Sequence, residues 1–419
     1  MKPVREIRRG LSLRKQSNKV YTNDRIEMMV YKDNPLFALM PKMEDFGGRN
    51  LPIVTIWGNP QGRSATFARA QTRGGLTSTK LDDFLLTRVK DYSIATIDNE
   101  TLEASKGNSN AFLEAATVEI DGAINSLTRS VAVSMYRAGY GEVGVLNGGV
   151  VSGLTLTLSN INEITNFEVG MELDVAASLT GASRAYGSSG NGLIVTGVNR
   201  SAGILTFGYA VNDGTNGIPA IGVSDYLFIR GDHSSSTLTK IAGLGAWVPS
   251  SAPTSSLFFG TDRSVDTRLG GLRLDVSSLP IEEALIEAAV YAAREGSKID
   301  YFFMNYAQYS KLEKALGSKV MYIDLKMNPE IAFRGITVNG PRGTIKCLPD
   351  QNCPPTTIYG VQMDTWKLYS LGKSVRVIDT DGLQMLRQAN SDGVEVRYGF
   401  YGNVGCKAPG YNINCTVSA

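Results

Sequence analysis

The stretch NAFLEAATVEIDGAINSLTRSVAVSMYR (residues 110–137) has the clearest periodicity in the chain. Its apolar residues recur at spacings of three and four, the pattern of one face of an α-helix. They are Ala116, Ile120, Ile124, Leu127, Val131 and Met135. Ser and Asn precede the stretch as candidate caps, and Gly139 and Gly141 follow it as stops. The sequence therefore predicts a helix of about 28 residues, or ~42 Å at 1.5 Å per residue. Such a helix is more typical of a structural support than of a site.

Two strand patterns upstream of this helix flank a segment rich in turn residues. LPIVTIW (51–57) and FLLTRVKDYSIATID (84–98) predict the strands, and Gly, Pro, Asn and Arg are concentrated between them. This arrangement predicts a long hairpin that projects from the body. Because few apolar residues lie at its tip, the hairpin cannot form a core of its own. We expect it to be buried on another subunit.

Residues 146–248 differ in composition from both flanks, with 17 glycines, four Lys or Arg and seven Asp or Glu. Short strand patterns alternate with turn clusters in this segment. They are LTLTLS (154–159), MELDVA (171–176), GLIVTGV (192–198), GILTFGY (203–209) and DYLFIR (225–230). RSAG (200–203) is a predicted hairpin turn. This spacing predicts a small antiparallel barrel or sandwich. A Pro/Ser-rich link leads back to the main body, so we interpret the segment as an insertion.

The remainder of the chain has a mixed helix and strand pattern. The predicted elements are a helix between Pro280 and Gly296, the strand YFFM (301–304), a helix over 306–316 capped by Asn305, a hairpin over 335–349, and strands within 356–370 and 373–379. Pro in the first turn and acidic residues after it favour a helix start at Pro280. VRYGFYGNVGCKAPGYNINC (396–415) predicts two half-buried strands around a Pro-Gly break, because apolar residues alternate on both sides.

The four cysteines raise the alternatives of a zinc site, a disulfide and plain packing. They are Cys347, Cys353, Cys406 and Cys415. Their spacing lacks the close pairs of structural zinc sites. The basic N-terminus has no apolar signal region, so we expect synthesis in a reducing cytoplasm, where thiols stay reduced. Cys415 falls on the apolar face of its strand. We expect free thiols, no metal and no cofactor.

Residue types that support catalysis are scarce. The single histidine, His233, lies in a polar turn without a serine or cysteine nucleophile motif around it. GNPQGRS (58–64) lacks the spacing and the lysine of a phosphate-binding loop, and GSSGNG (187–192) is not followed by a helix pattern. No apolar run approaches the ~18 residues that span a bilayer. We expect a non-enzyme with no membrane partner. A hydrolase is the alternative that the scarcity of histidine opposes.

Residues 1–20 form a basic arm with one acid, Glu6, against seven cations. The cations are Lys2, Arg5, Arg8, Arg9, Arg14, Lys15 and Lys19. Arms of this kind contact nucleic acid or acidic protein surfaces, although a solvated terminus has the same composition. Charge alone leaves both interpretations open.

The order of these elements resembles the major capsid proteins of tailed bacteriophages, which have the Hong Kong 97 fold. The resemblance covers nearly the whole chain apart from the glycine-rich insertion. In that family a basic N-terminal arm precedes an extended hairpin called the E-loop. A long spine helix, an axial domain and returning strands of the peripheral domain follow. FRGITVNGPRGTIKCLPDQNCPPTTIYGVQMDTWKLYSLG (333–372) is similar to the core of the axial domain.

The resemblance implies an α+β, Hong Kong 97-like capsid fold plus a small all-β insertion domain. The expected domains are an N-terminal arm (1–50), an E-loop hairpin (51–91), a peripheral domain with the spine helix (92–145), an inserted antiparallel β-barrel or sandwich (146–248), an axial domain (249–379) and returning peripheral strands (380–419).

The function implied is that of a major capsid protein. Hexamers and pentamers would form an icosahedral or prolate phage head that encloses double-stranded DNA, after synthesis in the bacterial cytoplasm. The expected partners are a separate scaffolding protein, a portal, a decoration protein and the packaged DNA. One alternative is an encapsulin-like cargo compartment, which would be expected to lack a long arm. Another is a carbohydrate-binding phage structural protein, which the Gly/Thr-rich strands favour.

The resemblance also implies roles for individual residues. Arg63, Arg69 and Arg73 of the E-loop are expected to make intersubunit contacts. The interior-facing basic arm would use Arg5, Arg8, Arg9, Arg14 and Lys15. Some relatives cross-link a hairpin lysine to a peripheral asparagine, for which Lys80 and either Asn403 or Asn412 are the candidates here. The net negative charge of the insertion opposes contact with DNA, so we expect the insertion on the outer surface.

Overall fold

The computed structural model describes residues 34–100, 109–147, 153–317, 322–328, 331–379, 382, 385–388 and 391–418. The arm residues Arg5, Arg8, Arg9, Arg14 and Lys15 lie outside the described residues. The helices are α1 (Pro35–Leu39), α2 (Phe67–Gly74), α3 (Ser109–Ser134), α4 (Leu244–Trp247), α5 (Ile281–Arg294) and α6 (Tyr306–Leu316).

The strands are numbered in chain order. They are β1 (Lys42–Met43), β2 (Asn50–Gly58), β3 (Lys80–Thr87), β4 (Val89–Asp98), β5 (Glu142–Val145), β6 (Thr155–Thr157), β7 (Glu172–Ala176), β8 (Leu193–Asn199), β9 (Ile204–Phe207), β10 (Tyr226–Ile229), β11 (Leu257–Phe258), β12 (Thr261–Asp262), β13 (Leu272–Asp275), β14 (Tyr301–Met304), β15 (Tyr322–Asn328), β16 (Ile331–Gly340), β17 (Gly343–Pro349), β18 (Thr357–Val361), β19 (Trp366–Ser370), β20 (Arg376–Val377), β21 (Leu386–Arg387), β22 (Gly393–Cys406) and β23 (Ile413–Thr416).

The first sheet is built around β22, which pairs with β4, β19, β20 and β21, while β1 pairs with β19. The predicted long helix is confirmed as α3, and its stripe of Ile120, Ile124, Leu127 and Val131 is buried in the main core. In the first part of β22, Val394 and Glu395 are partly buried and Arg397 is exposed, whereas from Tyr398 nearly every residue is buried. The prediction of a half-buried strand is therefore wrong for its second half, and it is also wrong for β23, in which Ile413, Asn414 and Cys415 are all buried. A Cβ on Gly405 would overlap Cδ1 of Ile53, which shows that the hairpin base covers that face.

The second sheet has the strand order β13-β23-β18-β14-β17-β16-β15, and α5 and α6 pack on it. The helices predicted before Gly296 and over 306–316, the strand YFFM and the 335–349 hairpin are confirmed. Asn305 caps α6, since its side-chain oxygen accepts a hydrogen bond from the backbone N–H of Ala307. The segregation of helices and sheets agrees with the α+β prediction.

Two parts of the chain lie in a different sheet from the one expected. β23 was assigned to the peripheral return strands (380–419), yet it pairs with β13 and β18 in the second sheet. β19 and β20, inside the expected axial domain (249–379), pair with β22 in the first sheet. The chain crosses between the sheets at the turn Pro409–Tyr411, which ends the run of the first sheet. Pairing between strands so distant in sequence leaves no local signal.

The third sheet has the antiparallel order β5-β10-β7-β8-β9-β6, and all of its strands except β5 lie within the predicted insertion. Each of the five strand patterns forms a strand. The sheet closes because Leu146 bridges Leu158 and the Ser159 N–H donates to the Val145 carbonyl at 2.8 Å. Its interior is a separate apolar core. The fully buried members include Phe167, Leu173, Val175, Leu193, Leu205 and Leu227. We refer to this closed sheet as the barrel.

The barrel and the predicted limits 146–248 do not coincide. β5 starts at Glu142, and Leu244 and Trp247 of α4 belong to the main core. The two ends of the barrel segment meet at Gly139, whose carbonyl accepts hydrogen bonds from the N–H groups of Thr239 and Lys240, both at 3.1 Å. The compact unit therefore spans about residues 140–239, with neighbouring ends.

Buried ion pairs attach the barrel to α3 and the first sheet. Lys240 Nζ lies 2.8 Å from Asp91 on β4 and 2.9 Å from Asp232 after β10. Arg137, which follows α3, lies 2.7 Å from Glu163 of the barrel. Burial raises the pKa of Asp232, and Lys240 opposes that rise. Removing one partner of such a pair leaves an uncompensated buried charge, so these contacts hold the barrel in one orientation on α3.

All four cysteines are free and buried. Cys347 and Cys415 lie in the core of the second sheet, whereas Cys353 and Cys406 lie in the main core. Burial raises the pKa of Cys347, Cys406 and Cys415 to about 12. The position of Cys415 on an apolar strand face is confirmed. Among the residues that the structure describes, no group of three or more His, Cys, Asp or Glu side chains could hold a metal ion.

Three buried asparagines join segments that are distant in sequence. Asn403 accepts a hydrogen bond from the Ala242 N–H and donates to the Thr87 carbonyl, both at 2.9 Å. Asn412 accepts from the Trp366 indole N–H at 2.8 Å, and Asn414 donates to the Val248 carbonyl at 2.8 Å. The oxygen and the nitrogen of Asn403 and of Asn412 are both hydrogen-bonded, and buried amides satisfied in this way are costly to remove. Oδ1 of Asn414 has no partner among the described residues.

These contacts correct the cross-link suggested by the family resemblance. Asn403 and Asn412 have at most 1% of their surface exposed. A lysine from another subunit cannot reach either amide while this subunit is folded. Lys80 itself is exposed at the start of β3.

A buried carboxyl, Asp350, lies where α1, the end of α3 and the β17–β18 loop meet. It accepts hydrogen bonds from the Tyr136 hydroxyl at 2.8 Å and the Asn352 N–H at 2.9 Å, and also from the Leu36 N–H. Asn352 also donates to Asn34 at 2.9 Å. Burial raises the pKa of Asp350 from 3.8 to about 6, although these hydrogen bonds lower it.

The raised pKa of Asp350 predicts the pH dependence of stability. Because the folded state binds a proton more tightly than the unfolded chain, this group stabilises the fold below pH ~4, and that contribution disappears as pH rises through about 6. We expect Asp350 to make the protein roughly 1–3 kcal/mol more stable at pH 4.5 than at pH 7.5. Burial also raises the pKa values of Tyr136 and Cys353, which stay neutral over this range.

Urea unfolding of the full chain and of Asp350→Asn at both pH values measures this contribution. Glu142 and Asp232, whose pKa values burial also raises, titrate in both proteins and cancel in the comparison. The pH dependence should be smaller in Asp350→Asn. An equal dependence in the two proteins would contradict the assignment.

Candidate assembly surface

The predicted hairpin is present as β2 and β3, which pair antiparallel from Asn50 with Thr87 to Gly58 with Lys80. One face of this hairpin is buried in the main core through Ile53, Phe84 and Leu86. Phe84 packs edge-on against Trp247, with ring centroids 5.0 Å apart. The base of the hairpin is therefore part of the body.

Hydrogen bonds from the body hold the same base in place. The Thr55 hydroxyl donates to the Lys407 carbonyl at 2.9 Å, and Arg268 donates to the Trp57 carbonyl at 2.8 Å. The Leu85 N–H donates to the Phe259 carbonyl at 2.8 Å. These contacts fix the direction in which residues 59–79 leave the body.

The opposite face of the hairpin is exposed and largely apolar, with the exposed Asp83 beside Val54. Val54 and Ile56 of β2 are 55% and 62% exposed, and Leu81 of β3, which pairs with Ile56, is 55% exposed. Leu85 lies on the same face and is 43% exposed. A strand with apolar residues on both faces is typical of burial on both faces. Exposed apolar residues grouped on one face in this way mark a site of protein association.

The tip of the hairpin carries all three arginines that the sequence analysis singled out. Arg69 and Arg73 lie one turn apart on α2, and Arg63 lies in the segment before it. All three are exposed. No residue of α2 is buried, and Phe67 is 83% exposed. Residues 59–79 contain no acid, so the tip is a cationic surface with exposed apolar residues.

Sequence reasoning missed two features of this surface. It did not predict α2, although Ala, Arg and Gln in FARAQTR favour a helix. It also did not identify the exposed apolar face. The signal for that face was present in LPIVTIW, where both strand parities are largely apolar. Such a pattern predicts a strand that is buried on both faces, and the main core of this subunit buries only one of them.

The single histidine packs within the barrel. His233 Nδ1 lies 2.9 Å from the Ser183 hydroxyl, and Nε2 lies 3.2 Å from the Leu179 carbonyl. Its ring lies 4.1 Å from that of Phe228. With Nε2–H donated to the carbonyl, Nδ1 accepts from Ser183.

In the part of the chain that the structure describes, no helix is long and apolar enough to span a bilayer.

No family model matches the chain, and no curated protein matches its sequence. Solved structures do resemble it. A chain of the cyanophage A-1(L) capsid asymmetric unit aligns with 10% identity over 92% of each chain and a TM-score of 0.47. A capsid chain of a native GTA particle aligns with 7% identity over 92% of this chain and 90% of that one, with a TM-score of 0.43. The SrpI encapsulin complex of Synechococcus elongatus gives 8% identity over 92% and 88%, with a TM-score of 0.40. These chains are described as parts of capsids and of an encapsulin.

Proposed function

We propose that the protein is a shell subunit that assembles with copies of itself into the head of a tailed bacteriophage. The observation that carries this proposal is the hairpin: its base is fixed in the core, but its outer face and tip expose apolar side chains. Within one subunit this surface has no cover among the described residues. A second copy of the chain would bury it.

A projecting hairpin and the surface that receives it are different patches, so their contact is heterologous. Heterologous contacts close into rings when the rotation between subunits allows it. Hexamers and pentamers are such rings, and together they form a closed shell. The basic arm would contact packaged double-stranded DNA inside the shell through Arg5, Arg8, Arg9, Arg14 and Lys15. A separate scaffolding protein, a portal and a decoration protein are the proposed partners, and the virion is the proposed location.

An encapsulin-like compartment is the second candidate, because an encapsulin would expose the same kind of hairpin. The seven cations in residues 1–20 favour the phage shell, since an encapsulin is not expected to need a long basic arm. Sedimentation velocity of the purified chain separates a shell-forming protein from one that does not assemble. Species of megadalton size would support a shell, and a monomer at all concentrations would contradict it.

We propose that the barrel lies on the outer surface of the shell and stabilises neighbouring subunits. Seven acids against four cations in residues 146–248 make it a poor surface for DNA. We propose the domain limits given by the sequence, with one change. Because the two ends of the insertion meet at Gly139, its limits become about 140–239 in place of 146–248.

Residues 140–239 are expected to fold when expressed alone. The barrel has its own apolar core, six strands and neighbouring ends, which are the properties of an independent folding unit. Thermal unfolding followed by far-ultraviolet circular dichroism should show one cooperative transition from a β-sheet spectrum. A soluble fragment without that transition, or one that only aggregates, would mean that the barrel depends on α3 for its fold.

A further inference from the structure

The outer face of α5 is a second apolar surface that the described residues leave uncovered. α5 buries a row of small residues and Leu285 against the second sheet. On its opposite side Ile286 and Val290 are 50% and 45% exposed. Glu283 and Glu287 are exposed beside them. Positions 283, 286, 287 and 290 follow the three-and-four spacing of a single helix face.

The tip of the hairpin complements this face in charge, in apolar content and in spacing. Arg69 and Arg73 are four residues apart on α2, as Glu283 and Glu287 are on α5. Four residues advance about 6 Å along a helix, so the two charge pairs have the same separation. Leu76, which follows Arg73 by three residues and is 79% exposed, adds an apolar side chain to the arginines.

We propose that the outer face of α5 receives the hairpin tip of a second copy of this chain. Arg69 and Arg73 would lie against Glu283 and Glu287, while Leu76 would cover Ile286 and Val290. The contact rests on the proposed function and identifies the partner surface of the hairpin. Both faces are exposed in the isolated subunit, so the contact is between copies.

Exposed Glu119 and half-buried Asp121 of α3 match the tip less well than the acids of α5. Glu119 and Asp121 are two residues apart, and side chains at that spacing do not share a helix face. One exposed large aliphatic residue, Val118, lies beside them, whereas α5 has two, Ile286 and Val290. This acidic pair is therefore the matched control for the experiment.

Charge exchange between the two helices tests the contact in the full-length protein. Arg69→Glu with Arg73→Glu, and separately Glu283→Arg with Glu287→Arg, should each raise the concentration needed for assembly about tenfold or more, because like charges then face each other. The variant that combines all four changes restores opposite charges. We expect it to assemble within about threefold of the wild-type concentration. Circular dichroism melting of each variant checks that it is folded.

The control replaces Glu119 and Asp121 by arginine together with Arg69→Glu and Arg73→Glu. Assembly should stay impaired in this protein. Restoration by the α3 changes, or failure of the α5 changes to restore assembly, would overturn the contact. A wild-type chain that never assembles would instead refute the proposed function.

Disulfide trapping gives a second measurement that does not depend on charge. The native thiols are buried, so new exposed cysteines react selectively. Leu76→Cys with Val290→Cys should form disulfide-linked oligomers on mild oxidation of assembled protein. Leu76→Cys with Val118→Cys should not. Absence of oligomers in the first variant, or equal yields in both, would contradict the contact.

Discussion

Replacing Trp247 by alanine is expected to lower the free energy of unfolding by about 3–5 kcal/mol, the range for large aromatic side chains removed from a core. Trp247 is fully buried, and its indole N–H donates to the Val404 carbonyl at 2.9 Å. Its ring lies 5.0 Å from that of Phe84 on the hairpin and 6.5 Å from that of Trp366 on β19. The residue thus joins the hairpin base, the first sheet and the segment returning from the barrel.

Two further variants are compared with Trp247→Ala. Trp247→Phe measures the hydrogen bond separately from the packing of the ring, and Phe67→Ala measures the effect of removing an exposed aromatic side chain. Trp247→Phe keeps most of the ring packing but leaves the Val404 carbonyl unpaired, so we expect a loss of about 1–3 kcal/mol. Phe67→Ala removes a side chain that is 83% exposed, and its effect should stay within about 0.5 kcal/mol. Chemical unfolding of the unassembled subunit measures all three. A loss below about 1 kcal/mol for Trp247→Ala would mean that the site collapses without strain and is not a central part of the core.

The combined replacement of Arg63, Arg69 and Arg73 by glutamate is expected to abolish shell formation. Single replacements should be mild, since exposed ion pairs contribute only ~0–1 kcal/mol each. Three reversals change the charge of one tip by six units, and the change recurs at every contact of a many-copy assembly. Because α2 contains no buried residue, the thermal stability of the subunit should not change.

Substitution of the same three residues by lysine is the matched control, because it keeps the charge. Light scattering during assembly should show shells for the lysine variant and none for the glutamate variant. Normal shells from the glutamate variant would refute the role of the three arginines.

Elements with strong local signals could be predicted from the sequence. α3 and α5 have continuous apolar stripes and identifiable ends, and Asn305 before α6 is a cap by residue type alone. The barrel strands were predicted because turn residues separate short apolar runs. In each case the information lies within about 30 residues of chain, so no knowledge of the tertiary structure was needed.

The features that sequence reasoning missed depend on distant partners. β23 pairs in parallel with β13, more than 130 residues earlier in the chain, and its sheet could not be inferred from its own residues. The amide of Asn403 is buried because Thr87 and Ala242 provide its partners. A polar residue that alternates with apolar ones predicts an exposed face unless such partners are known.

The hairpin surface likewise has some features that could be predicted from the sequence and one that could not. The position of the hairpin and the exposure of its arginines follow from composition, because a segment with few apolar residues cannot bury itself. α2 was missed because no face of it is buried in this subunit. A helix of that kind is expected to gain stability from a neighbour, and neighbours are outside the reach of a single sequence.

Electron microscopy of the purified, concentrated full-length protein tests the central claim most directly. The account predicts closed shells, or rings of five and six subunits, with density for the barrel on the outside. Ring-forming contacts should disappear when Arg63, Arg69 and Arg73 are replaced by glutamate. Dispersed monomers or open fibres from the wild-type chain at high concentration would contradict the assignment as a shell subunit.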